Sequence, residues 1–261
     1  MLNTVLRHTF DEAYLSEHLP DLQSHLQKVK AVVTFMKQSG LASRLPHGVC
    51  QEVSTRWNSK VAMLKSVYRQ FEEIENIIEE RGRSLMDNLS KVFIKDIIDL
   101  LEPFKEATEK LEQEKQPTLP LVLLYYTKLQ KHLAVAPTDS PTVTALKRRA
   151  TEYLKSKLRL DEAHTAATLL CPPFRGLRAL DETERNAAYA YVRAKMQDMP
   201  APSSHRESDD CSSAVAKRPR WNLREEFQEW QDVAEPQQHD ELDKYLHCDG
   251  ADHITNVLEW W

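Results

Sequence analysis

Apolar residues recur at steps of three and four along most of this chain, and this spacing constrains the fold more than any other feature. Such steps place the residues on one face of an α helix, which turns once in 3.6 residues. The first clear series lies between Pro20 and Gly40 and comprises Leu22, Leu26, Val29, Val33 and Met36. Proline at the start and glycine after the end are usual helix boundaries, so the sequence predicts a helix here.

Further series predict more helices. One runs from Leu64 to Ile78, begins at Asn58 or Ser59 and is expected to end at Gly82. The next runs from Leu89 to Phe104, with a kink at Pro103. Helix starts are also predicted at Thr118, at Ser140 followed by Pro141, and at Asp181, which with Glu184 resembles a capping box.

Strand signals are few. The stretch Val49–Trp57 reads as a strand, and Ala166–Cys171 reads either as a strand or as a buried helix. Only 5 of the 261 residues are glycine, fewer than strand-dense barrels and phosphate-binding loops use. With 41% hydrophobic and 29% charged residues, the composition is that of a globular, mainly α-helical protein. Met199–Ala216 is rich in Ser, Pro and Asp without an apolar face, which predicts a disordered linker.

The sequence contains no enzyme or cofactor signature. It has no glycine-rich nucleotide loop, no Gly-x-Ser-x-Gly elbow and no His-Glu-x-x-His pair. The four cysteines do not have the spacing of a zinc site, so we expect no metal and free thiols in a reducing compartment. No apolar run reaches the length of a membrane span, and no membrane partner is expected.

Two basic clusters are candidate binding elements. The first is predicted to form one basic helix face, opposed only by Glu152, and comprises Lys147, Arg148, Arg149, Lys155, Lys157 and Arg159. Such a cluster suits DNA phosphates, because counterion release drives that binding, but it also suits the solvated face of a bundle. The second cluster, Lys217, Arg218 and Arg220, resembles a nuclear-import signal, although such clusters also occur by chance.

Two segments of the chain resemble those of a known family. Residues 50–64 read CQEVSTRWNSKVAML, with Thr55-Arg-Trp-Asn-Ser59 followed by Met63-Leu64. This segment is similar to one found in hAT-type transposases and their domesticated BED-finger relatives. The end of the chain resembles the start of the family's C-terminal dimerisation segment at Glu241, Leu242, Tyr245, Leu246, Leu258, Trp260 and Trp261. Leu100–Leu111 and Leu170–Leu177 resemble two further family segments in the expected order, although Cys171 and Pro173 depart from the pattern.

The resemblance implies a division of the chain. Residues 1–58 correspond to a remnant of an RNase H-like core and the first helix, and 59–198 to a helical insertion-type domain. Residues 199–220 form the linker with its basic cluster, and 221–261 a truncated dimerisation-type segment. The expected fold is mainly α: a helical bundle-like insertion domain, with at most a remnant of an RNase H-like α/β core.

The resemblance also implies site residues and a function. In the family the Arg-Trp pair lies near the active site, so Trp57 is the candidate for stacking on a displaced base and Arg56 for a phosphate contact; the alternative is that Trp57 is a core residue. The catalytic carboxylates are expected outside this sequence, which predicts no enzyme activity. We expect a nuclear, and secondarily cytoplasmic, protein that self-associates or binds another transposase-like protein through its C-terminal segment, with non-specific DNA binding. Two alternatives stay open: the product of a decayed element without selected function, and an active transposase with an incomplete gene model.

Overall fold

Helices make up the regular structure of the protein, as expected from the apolar spacing. The computed structural model describes residues 1–53, 57–78, 80–114, 116–198 and 240–248, and no β-strand forms within these ranges. Two short 3-10 turns occur at Leu41–Arg44 and Pro172–Phe174. The helices are α1 (Leu2–Thr9), α2 (Glu12–His18), α3 (Pro20–Gln38), α4 (Trp57–Arg69), α5 (Phe71–Ile77), α6 (Glu80–Met86), α7 (Lys91–Leu111), α8 (Leu119–His132), α9 (Pro141–Lys157), α10 (Glu162–Leu169), α11 (Glu182–Asp198) and α12 (Glu241–Leu246).

Capping hydrogen bonds confirm the helix starts predicted at Ser140 and Asp181. The Ser140 side chain accepts a bond from the backbone N–H of Val143 at 3.3 Å, with Pro141 as the first residue of α9. Asp181 and Glu184 form the reciprocal pair of a capping box before α11, at 2.8 and 3.2 Å. Each cap supplies a partner to backbone groups that a helix end leaves without one.

The predicted helix over residues 64–82 is wrong in its extent. It divides into α4 and α5 at Gln70, which is buried. The Gln70 side chain accepts a hydrogen bond from the backbone N–H of His47 at 2.8 Å and donates to the Ser66 carbonyl at 3.3 Å. Gly82 does not end a helix but lies inside α6.

The strand expected over Val49–Trp57 does not form in the described part of that stretch, residues 49–53 and Trp57, which begins α4. Side chains of α4 bond to the backbone there in place of a neighbouring strand. The Ser66 hydroxyl accepts a bond from the Cys50 N–H at 3.0 Å. The Ser59 hydroxyl accepts from the Val53 N–H at 2.7 Å and donates to the Val53 carbonyl at 3.0 Å. At the second candidate, Ala166–Leu169 belong to α10, which is the buried-helix alternative.

The chain divides into two compact units. Unit 1 comprises residues 1–112 and 128–159, and unit 2 comprises 113–127 and 160–261. The border expected between residues 58 and 59 therefore falls inside unit 1. In unit 1, α1 packs on α9, α4 packs on α7, and α3 contacts α2, α4 and α6. Its core includes the predicted apolar faces, as shown by Leu22, Val33, Met36, Leu64, Ile97, Phe104, Leu146 and Leu154, whereas Val92 is 70% exposed.

Unit 2 is built from α10, α11, α12 and the first part of α8. Its core consists of Leu123, Leu169, Leu177, Ala188, Val192, Leu242 and Tyr245. Leu177 has a φ of 49°, in the left-handed region that non-glycine residues rarely occupy. This conformation lies in the turn that carries Leu177 into the core. None of the helices in the described part of the chain is long and apolar enough to cross a membrane.

Gly82 permits the close approach of α6 to α3, and Gly82→Ala should test this. A Cβ atom at residue 82 would lie 2.6 Å from Phe35 Cε1 and 2.8 Å from Ile78 Cγ1. Alanine in an open helix position stabilises by about 0.5–1 kcal/mol relative to glycine, but overpacking costs about 1–3 kcal/mol. We therefore expect Gly82→Ala to lower the free energy of unfolding in urea denaturation. The exposed Ser84→Ala in the same helix is the control, and a stabilised Gly82→Ala variant would contradict the close approach.

Candidate functional site

Trp57 lies at the first turn of α4 and lines a cleft of unit 1. The cleft has a volume of about 630 Å³ and is enclosed by α1, α2, α3, α4 and α7. Its apolar wall consists of Leu6, Phe10, Leu15, Leu26, Trp57 and Leu101. Trp57 is half-buried, so one part of the indole packs while another part remains available to the cleft. Arg56, its expected phosphate partner, lies outside the described residues.

Charged side chains line the same cleft. Glu52 forms ion pairs with Lys60 at 3.3 Å and Lys30 at 3.7 Å. The Lys60 ammonium also lies 5.5 Å from the centre of the Phe10 ring, a cation–π distance. Arg7, Asp11 and Glu12 line the cleft as well, so its three basic and three acidic side chains balance. The Lys60 ammonium beside the aromatic wall can still contact the anion of a planar group.

The six cations of residues 147–159 do not share one face, contrary to expectation. Lys147 is 9% exposed, forms an ion pair with Asp139 at 2.8 Å and donates to the Ala134 carbonyl. The Arg149 guanidinium lies 3.5 Å from the centre of the Tyr14 ring, and its Nε donates to the His8 carbonyl at 3.0 Å. These two side chains stabilise unit 1, because α9 turns them towards its own packing partners.

The remaining four cations are exposed, and we call them the α9 basic surface: Arg148, Lys155, Lys157 and Arg159. Arg148 and Lys155 are seven residues apart, about two helical turns, so they lie on the same side of α9. Glu152 is exposed on that side as well and reduces its positive charge. The surface available to phosphates is therefore smaller than the sequence suggested.

The described part of the dimerisation-type segment is packed within unit 2. Leu242 and Tyr245 are 3% and 9% exposed in its core, and the Tyr245 hydroxyl donates to the Leu169 carbonyl at 2.9 Å. Leu246 packs beside them, and Glu241 is exposed. The linker and the remaining candidates lie outside the described residues: Leu258, Trp260, Trp261, Lys217, Arg218 and Arg220.

Two arginines that the sequence did not single out hold this segment. Arg175 is 2% exposed, and its guanidinium donates to the carbonyls of Leu246 at 2.8 Å and Cys248 at 3.1 Å. Arg193 forms ion pairs with both Asp240 and Asp243. The guanidinium of Arg193 holds the pKa of Asp240 below its ordinary value. In the sequence, the one indication for Arg175 was its position inside the family-like segment Leu170–Leu177. No feature of the sequence indicated Arg193.

The thiol of Cys171, next to the segment that contains Arg175, is not a reactive group. Cys171 is 1% exposed, and burial raises the pKa of its thiol to about 12. A thiolate is the reactive form of cysteine, and it is scarce at neutral pH under these conditions. Within the part of the chain that the structure describes, no three His, Cys, Asp or Glu side chains converge closely enough to hold a metal ion.

Comparison with known proteins supports a relationship to hAT-type transposases. The chain is 26% identical to the Transposable element Hobo transposase of Drosophila melanogaster over 186 residues, which cover 70% of the chain and 28% of that protein. It is 33% identical to Zinc finger protein 618 of Mus musculus and of Homo sapiens over 117 residues, 44% of the chain and 12% of those proteins. The chain thus spans between 12% and 28% of the length of these curated relatives. No protein-family model matches it.

The Lys147–Asp139 ion pair should make the stability of the fold depend on pH, which would identify Lys147 as a residue that stabilises unit 1. The hydrogen bond from Lys147 holds the pKa of Asp139 below its ordinary value. A lowered pKa in the folded state contributes stability above the unfolded pKa of about 3.9, and this stability is lost as the pH falls through the folded value. We therefore expect Asp139→Asn to lower the melting temperature at pH 5–7, and the deficit to shrink as the pH falls below the unfolded pKa of about 3.9.

The exposed Glu152→Gln on α9 is the matched control and should melt like the wild type across that pH range. A deficit of Asp139→Asn that stays constant down to pH 2 would contradict the ion pair.

Proposed function

We propose that this chain is a non-catalytic, transposase-derived protein that acts through protein association and binds DNA weakly and without sequence preference in the nucleus. The transposase-derived origin is supported by the similarity to hobo transposase over 70% of the chain. The observation that carries the association is the docked helix α12, which belongs to the segment that resembles a dimerisation element.

The length of α12 supports a role in recognition. Isolated helices shorter than about 12–15 residues are marginal in water, and α12 has six residues. It therefore depends on the contacts of Leu242 and Tyr245 with the unit 2 core and on its ion pairs with Arg193. A short helix that is ordered by the surface on which it docks is a common form of protein recognition.

The α9 basic surface supports weak DNA binding. Its four exposed cations can neutralise a few phosphates, and each contact contributes through the release of counterions. Glu152 beside them opposes this attraction. The cleft at Trp57 offers a second contact, since an aromatic wall next to an ammonium group suits a base and its phosphate.

The non-catalytic role concerns residues 1–261 alone. The transposase segments that this sequence resembles are not the ones that carry the family's catalytic carboxylates. A longer chain that includes those segments would restore the alternative of an active transposase.

Self-association is tested by sedimentation of the intact chain over a concentration series. We expect the mass to rise above the monomer value of 30.2 kDa with increasing concentration. A chain that ends at Cys248 keeps the docked α12 but lacks Leu258, Trp260 and Trp261, and it should associate less, because buried indoles often dominate interfaces. An intact chain that stays monomeric up to millimolar concentration would overturn the association.

DNA binding is tested by charge reversal on the α9 basic surface. We expect Arg148→Glu with Lys155→Glu to weaken duplex DNA binding roughly tenfold at low salt, and the removal of each phosphate contact to lower the salt slope by about 0.9. Fluorescence anisotropy at several salt concentrations measures both quantities.

The matched control is Lys37→Glu with Arg44→Glu, which changes the net charge equally at exposed sites elsewhere in unit 1. Equal losses in both double variants would mean that only net charge matters and that α9 is not the binding surface. Trp57→Ala should weaken binding to hairpin DNA without changing the salt slope, since stacking releases no counterions.

A further inference from the structure

The part of unit 2 that holds α12 can be regarded as a receptor for a helix. We propose that this receptor accepts α12 from a second copy of the chain, so that two copies exchange the helix reciprocally. The inference rests on the proposed association and names its contacts. The α12 receptor consists of Leu123, Leu169, Arg175, Leu177, Ala188, Val192 and Arg193.

The apolar contacts of α12 are those of a protein core. Leu242 and Tyr245 are almost fully buried against receptor residues from α8, α10 and α11 and from the turn at Leu177. The Tyr245 hydroxyl reaches the Leu169 carbonyl at the end of α10. If α12 leaves, both sides expose apolar surface, so an empty receptor is unfavourable.

Charges fix the orientation of α12 at its N-terminal end. The Arg193 guanidinium bonds to Asp240, the N-cap residue, and to Asp243 in the first turn. Asp243 has 18% of its side chain exposed, so water screens this contact only partly. The receptor is therefore positive where the helix is negative, which selects an acidic helix start.

The C-terminal end of α12 meets a buried cation. A helix leaves its last carbonyls without backbone partners, and a positive charge there is favourable. Arg175 donates to the carbonyls of Leu246 and Cys248, while its third nitrogen, Nη1, is buried without a hydrogen-bond partner in the described residues. Without α12 the buried guanidinium would lose both described hydrogen bonds, so the receptor has to be occupied.

The connection allows the occupant to come from either chain. α11 ends at Asp198 and α12 begins at Glu241, so residues 199–240 connect the two helices. At about 3.3–3.6 Å per extended residue, this stretch can span more than 100 Å. Docking within one chain and docking between two chains make identical contacts. The balance depends on the effective concentration of the tethered helix, on the order of millimolar, so the wild type should exchange mainly at high protein concentration.

Two complementary variants test the exchange at lower concentration. Arg193→Glu reverses the receptor and leaves α12 acidic. The second variant combines Asp240→Asn with Asp243→Lys, which reverses the helix and keeps the receptor; asparagine retains a good N-cap. In each variant alone, like charges oppose docking. In the mixture, each receptor meets a helix of opposite charge from the other chain.

We expect the mixture to form a one-to-one heterodimer at micromolar concentration, and each variant alone to form none. Native mass spectrometry with one variant isotopically labelled measures the species, and amide hydrogen exchange of residues 241–246 measures docking. A single chain with all three substitutions is the control and should protect these amides as a monomer. If that chain is protected while the mixture gives neither heterodimer nor protection, the exchange is overturned.

A peptide experiment keeps the inference testable if the control chain does not protect its helix. The peptide of residues 240–248 should bind one-to-one to the Asp240→Asn, Asp243→Lys variant, whose receptor is unchanged, and not to Arg193→Glu. Absence of binding would overturn the inference. If the intact chain self-associates but the mixture forms no heterodimer, the proposed association stands and the exchange of α12 is rejected. A heterodimer from the mixture, with an intact chain that stays monomeric up to millimolar concentration, would show that the receptor can accept α12 from another chain but would reject both self-association and exchange in the unaltered chain.

Discussion

Buried backbone N–H and C=O groups outside the helices, or at their ends, need hydrogen-bond partners, and this requirement organises both units. A sheet would supply such partners, but no strand forms in the described ranges. Side chains supply them instead. In unit 1, Ser59 and Ser66 of α4 and Gln70 after it bond to backbone groups of residues 47–53. In unit 2, Arg175 bonds to the carbonyls of Leu246 and Cys248 at the end of α12. Residues 47–53 and α12 therefore depend on a few polar side chains.

The long helices and their caps could be predicted from the sequence, because both signals are local. The series between Pro20 and Gly40 became α3, and Ser140 and Asp181 cap the helices they were expected to start. The helix break at Gln70 and the position of Gly82 inside α6 could not be predicted. The first depends on a bond to His47, and the second on the ring of Phe35 in another helix.

The candidate sites show the same limit more clearly. A basic run in a sequence gives the number of charges but not their partners. In the structure, Lys147 forms an ion pair with Asp139, and the Arg149 guanidinium lies over the Tyr14 ring. The two arginines that hold α12 act across 71 and 50 residues, a separation at which no sequence spacing indicates a contact. The resemblance drew attention to Leu242 and Tyr245 as dimerisation residues, and their packing shows that they are core residues of unit 2.

The proposed association element α12 is also part of the unit 2 core, so association through it would be linked to folding. If α12 bound an unrelated surface, the apolar part of its receptor would be exposed and Arg175 would lose two hydrogen bonds, so the partner would have to offset both costs. Exchange between two copies avoids this, because each interaction that breaks within a chain forms again between chains. The free-energy difference between the two states then lies in the tether and in any new interface alone. Among the ways in which α12 can join two proteins, the one that conserves the core is physically the least costly.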